Sequence, residues 1–224
     1  MKEATFIYHD IPQRTPEWYR LRLGLPTASR LSDLTSTLKN GQPTAAQKDY
    51  LKELRYEKTF GISMSKFVSS AMYDGVNYED IAANMYSVVE GVDLKPAGIY
   101  ANQWFAASPD RLIGDDGLLE VKVLTDTKYA DVLEDNNVAI DRFNLQIQGQ
   151  LWASGRAYAI LMIYNVNSNS YIKIKIARND SDIEMIQSAV ESLNISKFAE
   201  SDMILMGDDA HDSATEVTIS LEGL

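Results

Sequence analysis

The chain has 224 residues, a formal net charge of −11, 45% hydrophobic side chains and no cysteine. That composition supports a real core and excludes disulfides, thiolate zinc sites and iron–sulfur clusters. No apolar run approaches the roughly 20 residues of a membrane span, residues 1–5 lack an apolar signal-like stretch, and the absence of cysteine fits the cytoplasm.

The acidity is uneven. Glu200, Asp202, Asp208, Asp209, Asp212, Glu216 and Glu222 fall in the last 25 residues, which hold no Lys or Arg. The stretch from about 200 to 224 reads as an acidic, solubilising tail. The remainder is close to charge balance, with basic groups gathered early at Arg14, Arg20, Arg22, Arg30, Lys48, Lys52, Arg55 and Lys58. A polyanionic partner would therefore need a local basic site rather than a basic surface. We expect one domain over residues 1–224.

In chain order, Pro16 suits a first helical position, and 17–23 reads as a short helix that Pro26 ends. Thr27 or Ser29 starts a second helix through Leu31 and Leu34. Pro43 precedes Thr44-x-x-Gln47, a capping-box pattern opening a Lys-rich helix with Tyr50, Leu51 and Leu54 inside. Tyr78, Ile81, Ala82, Met85, Val88 and Val89 recur at helical spacing up to Gly91. Residues 98–107 and 117–124 read as two strands joined by the turn 114–117. Ile140, Phe143, Ile147 and Leu151 form a helical stripe ending near Gly155. Strands at 157–164 and 171–176 follow. Ser181-x-x-Glu184 caps a last helix with Ile183, Ile186, Val190 and Leu193 on one face. Helices followed by strand–strand–helix–strand–strand–helix predict an α/β core on a mixed sheet behind an N-terminal helical part.

The chemistry concentrates in Ser108-Pro109-Asp110 and Glu120-Val121-Lys122. Strand side chains alternate faces, so Glu120 and Lys122 share one face while Leu119, Val121 and Val123 share the other. Charges in so apolar a strand need a compensating partner. A hard cation between Asp110 and Glu120 supplies one reason. Mg²⁺ takes oxygen ligands and keeps several waters, so two carboxylates and the Val121 carbonyl would suffice. Such an ion assists phosphodiester hydrolysis, with Lys122 orienting water or stabilising developing charge. A structural ion pair of Lys122 with Glu120 or Asp110 accounts for the same three residues.

Four separated motifs then resemble the phage lambda exonuclease family, the viral alkaline exonucleases within the PD-(D/E)xK nucleases. They are Trp18-Tyr19-Arg20-Leu21-Arg22-Leu23-Gly24 with Thr27-Ala28-Ser29; Gly75-Val76-Asn77-Tyr78-Glu79; Ser108-Pro109-Asp110 with Glu120-Val121-Lys122; and Gln146-Ile147-Gln148 before Trp152. The resemblance implies a PD-(D/E)xK core, a mixed β-sheet flanked by helices. It implies that Asp110 and Glu120 are the metal carboxylates, with Val121 contributing its carbonyl, Lys122 the catalytic lysine, Glu79 a holder of a second ion or its waters, and Gln146 a positioning group. Arg22, Ser29 and Ser108 would bind a 5′-phosphate. Read without the resemblance, Arg22 serves equally as a surface residue, Ser29 as a helix cap, Glu79 as a helix-dipole partner, and Gln146 with Gln150 as a solvated face. Trp18 and Trp152 read as core.

The implied activity is a Mg²⁺-dependent 5′→3′ exonuclease on double-stranded DNA ends, using two ions, with Mn²⁺ a substitute. It would release 5′-mononucleotides and leave 3′ overhangs for recombination. The resemblance further implies a ring-shaped homotrimer and a phage single-strand annealing protein as partner. The alternatives are an endonuclease or repair nuclease domain of the same superfamily, or a catalytically inert DNA-binding module. Residues 39–64 carry none of these motifs.

Overall fold

The computed structural model describes residues 5–64 and 70–193, with side chains of 70–77 excepted. The acidic tail, and the side chains of Gly75, Val76 and Asn77 from the second motif, therefore lie outside the described residues.

Strand β1 (Ile7–His9) is the first element among the described residues. Helix α1 (Pro16–Arg22) follows, with Pro16 in its first turn and Thr15 accepting a hydrogen bond from the Trp18 amide. Both are standard ways of starting a helix. The expected second helix is a 3-10 turn (Ala28–Arg30) leading into α2 (Leu31–Thr35). Helix α3 (Ala45–Phe60) shows half of the expected capping box. Thr44 accepts from the Gln47 amide, but the Gln47 side chain turns away to the Leu34 carbonyl.

Helix α4 (Ser70–Glu90) ends at Gly91, as expected. Its inner face keeps Tyr78, Ala82 and Met85 of the predicted stripe and departs from the rest. Ala82, Ala83 and Tyr86 are buried, whereas Ile81, Val88 and Val89 are exposed. The span 98–107 is a correction: it is not one strand but a tight hairpin of β3 (Ile99–Ala101) and β4 (Ala106–Ala107). The Asn102 side chain accepts from the Trp104 and Phe105 amides, an Asx-type turn that breaks the strand. The 114–117 turn instead joins β5 (Arg111–Ile113) to β6 (Gly117–Val123).

Strand β2 (Leu94–Pro96) pairs with β5. After β6 come α5 (Asp126–Glu134), α6 (Asn137–Ser154), β7 (Tyr158–Asn165) and β8 (Ser170–Ala177). The last helix, α7 (Asp180–Ser192), is capped by Asn179, which accepts from the Ser181 and Asp182 amides. Ser181 is not the cap, because it already lies inside the first turn.

A five-stranded sheet runs β2-β5-β6-β7-β8, and a three-stranded one β1-β3-β4. The β6–β7 pair is parallel and its neighbours are antiparallel, so the main sheet is mixed. Its crossover carries α5 and α6, as parallel pairing requires a long connection. Leu119, Val121, Ile160 and Met162 pack with Ala82, Ala83 and Tyr86 of α4. On the opposite face Leu118, Leu161 and Ile163 pack with Ile147 and Leu151 of α6 and Val132 of α5. Helix α6 also meets the N-terminal helical part. A Cβ on Gly149 would lie 2.6 Å from Leu31 Cδ1 and 3.4 Å from Ala28 Cβ, so the bare backbone there lets α6 approach Ala28. That approach brings the Ser29 turn up to the face of α6 that looks at β6.

Candidate active site

Strand alternation points Glu120 and Lys122 at α6. Glu120 is 2% exposed, and both of its carboxylate oxygens accept hydrogen bonds. Oε1 accepts from Lys122 Nζ at 2.7 Å and from Gln146 Nε2 at 2.5 Å. Oε2 accepts from Gln150 Nε2 at 2.7 Å. A buried carboxylate with one cation and two amide donors is compensated rather than orphaned. Lys122 Nζ also lies 5.3 Å from the Phe143 ring centroid.

Asp110 reaches the same strand by a different route. Strand β5 begins at Arg111, opposite Leu119, so Val121 has no strand partner on that edge. The Asp110 carboxylate takes the place of a strand and accepts the Val121 amide at 2.6 Å. In a β-strand the N–H and C=O of one residue face the same edge, so the Val121 carbonyl points to the Asp110 side. Burial, then the Glu120 and Glu79 charges, push Asp110 well above the usual carboxylate range, outweighing Lys122 and the Val121 amide. Lys122 shows the converse. Burial works against its charge, but Glu120 and Asp110 outweigh it and hold the ammonium above the usual lysine range.

A cavity of about 180 Å³ is lined by Asp110, Glu120, Gln146 and Gln150 together with Arg22, Ser29 and Ser108. Residues far apart in the chain thus meet around one space. The Arg22 guanidinium stands 4.3 Å over the Trp18 ring and donates to Thr27 Oγ1 at 3.5 Å. Desolvation draws its pKa down, against Tyr50, Tyr19, Glu57 and Glu53. Trp18 is buried, and its indole N–H donates to Ser108 Oγ at 2.8 Å.

Glu79 is placed differently from the other residues expected at the site. It is not among the cavity-lining side chains. One oxygen accepts from Arg14, the other from Arg111 at 3.3 Å. Arg111 also holds the Asp110 carbonyl at 2.7 Å, which links Glu79 to the site through the backbone.

Sequence reasoning assigned no site role to Gln13, Arg14, Thr27 or Gln150, all of which line the cavity, although Thr27 belongs to the first motif. Gln150 was visible as a helical neighbour of Gln146, four residues on; its burial was not. Gln13 and Arg14 carry no local signal, because their partners Pro109 and Glu79 are 96 and 65 residues away.

The donor set fits a hard divalent ion. Among the described residues no three His, Cys, Asp or Glu converge on one point, so an all-protein cage is absent. Two carboxylates and a carbonyl, with waters completing the shell, suit Mg²⁺. The buried Gln150 Oε1 has no hydrogen-bond partner, an acceptor that a bound water or substrate would satisfy.

A family model described as the YqaJ-like viral recombinase domain matches residues 17–157. The chain belongs to that family, which is lambda exonuclease-like. Among solved structures it is similar to an alkaline exonuclease (LHK-Exo) from Laribacter hongkongensis, at TM-score 0.71 and 26% identity over 85% of this chain and 96% of that one. The same enzyme in complex with dAMP gives TM-score 0.74 and 25% identity, with the same coverage. A phage related exonuclease from Haemophilus somnus 129PT, at TM-score 0.67 and 14% identity over 82% and 96% of the two chains, shares the fold. No curated protein matches by sequence. The fold is the PD-(D/E)xK type, two sheets flanked by helices. Among the described residues no helix is long and apolar enough to cross a membrane.

Proposed function

We propose that this protein is a Mg²⁺-dependent 5′→3′ exonuclease that acts on double-stranded DNA ends, releases 5′-mononucleotides and leaves 3′ overhangs for phage-type recombination. The observation that carries this reading is the shared cavity, in which Arg22, Ser29 and Ser108 adjoin Asp110 and Glu120. A planar guanidinium suits a phosphate. Held beside the carboxylates, a terminal 5′-phosphate sets the cut one nucleotide from the end.

Asp110, Glu120 and the Val121 carbonyl would hold the ion, and Glu79 would serve a second one after releasing an arginine. When bound, the metal polarises the phosphate and activates water. Ser108, which accepts from Trp18, has its own O–H left to donate to the terminal phosphate. Gln146 and Gln150 fix the Glu120 carboxylate. Lys122 donates to Glu120 and is suited to stabilise negative charge as the phosphorus is attacked. Water attacks the phosphorus and the 3′-oxygen of the terminal nucleotide leaves. The shortened strand then carries a new 5′-phosphate, the group Arg22, Ser29 and Ser108 would hold in the next cycle.

We further propose a ring-shaped homotrimer, an annealing protein as functional partner, and action in the bacterial cytoplasm. The test is digestion of end-labelled linear duplex with and without Mg²⁺, comparing 5′-phosphate with 5′-hydroxyl ends and with closed circles. Metal-dependent mononucleotides from phosphorylated ends, with circles intact, are expected. Nicked circles, or inert linear DNA, would overturn the reading.

A further inference from the structure

Among the described residues that line the cavity, Arg22 and Arg14 carry the positive charge, and the scheme above gives Arg14 no contact with DNA. Its backbone is left-handed, with φ 66°, which is uncommon outside glycine. Both neighbours impose it. The Gln13 side chain donates to the Ala97 and Pro109 carbonyls at 3.1 and 2.8 Å, tying residue 13 to the segment that carries Asp110. Thr15 caps the helix that carries Trp18 and Arg22. Arg14 is thus clamped between the two halves of the site, in a conformation kept only because its surroundings over-determine it.

Its side chain is the releasable member of an ion-pair network. Arg14 is 43% exposed, while Arg111, the other partner of Glu79, is 12% exposed. Glu79 keeps Arg111 if Arg14 departs, so the departure leaves no buried unpaired carboxylate, the costly outcome for such a pair. Arg22 belongs to the wall formed by Trp18, Thr27 and Ser29. Arg14 lines the cavity elsewhere and pairs with Glu79, which is not a lining residue. A strand whose terminal phosphate sits at Arg22 and whose scissile bond lies at Asp110 and Glu120 carries a further negative charge, and Arg14 is the remaining cation among the described residues lining the cavity.

We infer that Arg14 exchanges Glu79 for an internal phosphodiester of the strand being cut, and so grips the substrate at a point distinct from the terminal 5′-phosphate. This rests on the exonuclease reading and assigns a further substrate-contacting residue to it.

The test compares wild type with Arg14→Gly and Arg14→Lys. Glycine adopts positive φ at no steric cost, so Arg14→Gly removes the guanidinium without straining the backbone, and its Tm should match or exceed wild type. On linear duplex its KM should rise roughly tenfold or more, the weight of a lost charge-assisted hydrogen bond, with kcat little changed. The salt slope of DNA binding should fall by about one. The penalty should be equal for 5′-phosphate and 5′-hydroxyl ends. Arg14→Lys should restore the salt slope and part of KM. An unchanged KM and slope, a penalty confined to phosphorylated ends, or a lowered Tm tracking the binding loss would each overturn the inference. Wild type inert on all DNA would instead remove the exonuclease reading beneath it.

Discussion

The Trp18 indole N–H donates to Ser108 Oγ at 2.8 Å, joining helix α1 to the segment that presents Asp110. Trp18 is therefore a core residue with a polar duty, since a buried indole needs a partner for its N–H. By accepting from Trp18, the Ser108 hydroxyl is oriented with its own proton available to an anion. Trp18→Phe keeps most of the apolar area and removes the donor. We expect a stability loss of about 1 kcal/mol and weaker discrimination between 5′-phosphate and 5′-hydroxyl ends. Thermal melts and the ratio of kcat/KM for the two ends measure both, and an unchanged ratio would exclude this role for the pair.

In the proposed scheme Lys122 combines a structural and a chemical part, and metal would separate them. Its ammonium neutralises Glu120, whose side chain is 3% exposed, while 23% of the Lys122 side chain still meets solvent. Lys122→Ala should cost about 2 kcal/mol without metal, below the usual range for a broken buried pair because of that exposure. Mg²⁺ should recover most of this loss, since a divalent ion supplies the missing positive charge. Cleavage should stay down by about 10²–10³-fold with DNA binding retained. Cleavage near wild-type rates would rule Lys122 out of the chemistry.

Asp110 sets a pH dependence whose sign follows from its raised folded-state value. Between the unfolded and folded values the native state holds the extra proton. This contribution to stability is complete below the unfolded value and is lost as pH rises through the folded one. Metal-free protein should accordingly lose stability over that rise. Metal binding requires the ionised carboxylate, so the gain in Tm from Mg²⁺ should grow over the same window. Asp110→Asn should raise the metal-free Tm at alkaline pH and abolish the Mg²⁺ effect, because the amide still accepts from Val121 but carries no charge. A Mg²⁺-induced shift that stays constant as pH is raised from the acid side through the whole range in which the protein remains folded would contradict this linkage.

The legibility of the site follows the range of the signal. The pairing of Glu120 with Lys122 was readable because alternation in a strand is local and leaves little choice. The order of elements was readable wherever helices were long and capped. The hairpin at Asn102 was not, since one Asx turn inside an apolar run reverses the chain without breaking its hydrophobic pattern. Strands β1 and β2 span three residues each, too few to show a period. In α4 Val88 and Val89 point outward, and the face packed on the sheet is built around small residues, Ala82 and Ala83, with Tyr86. The pairing of Arg14 with Glu79 is purely tertiary, and no window of sequence contains it.

Gln150 gives the sharpest test of how Glu120 is held. Its Nε2 donates to Glu120, while its Oε1 is buried without a partner. Gln150→Leu removes a good bond and an orphaned acceptor together, so the fold should change by less than about 1 kcal/mol. Glu120 would keep Lys122 and Gln146 but lose the donor that fixes Oε2. Cleavage should fall about tenfold, as loosened partners of metal ligands typically cause, with a matching rise in the Mg²⁺ concentration for half-maximal rate. Gln150→Glu should behave oppositely in the metal-free protein. A second buried carboxylate against Glu120 repels it, and the Tm should drop until Mg²⁺ is added. Melting both variants across a Mg²⁺ titration separates the cases. If Gln150→Glu melts like wild type without metal, the carboxylate of Glu120 is not confined in the way described.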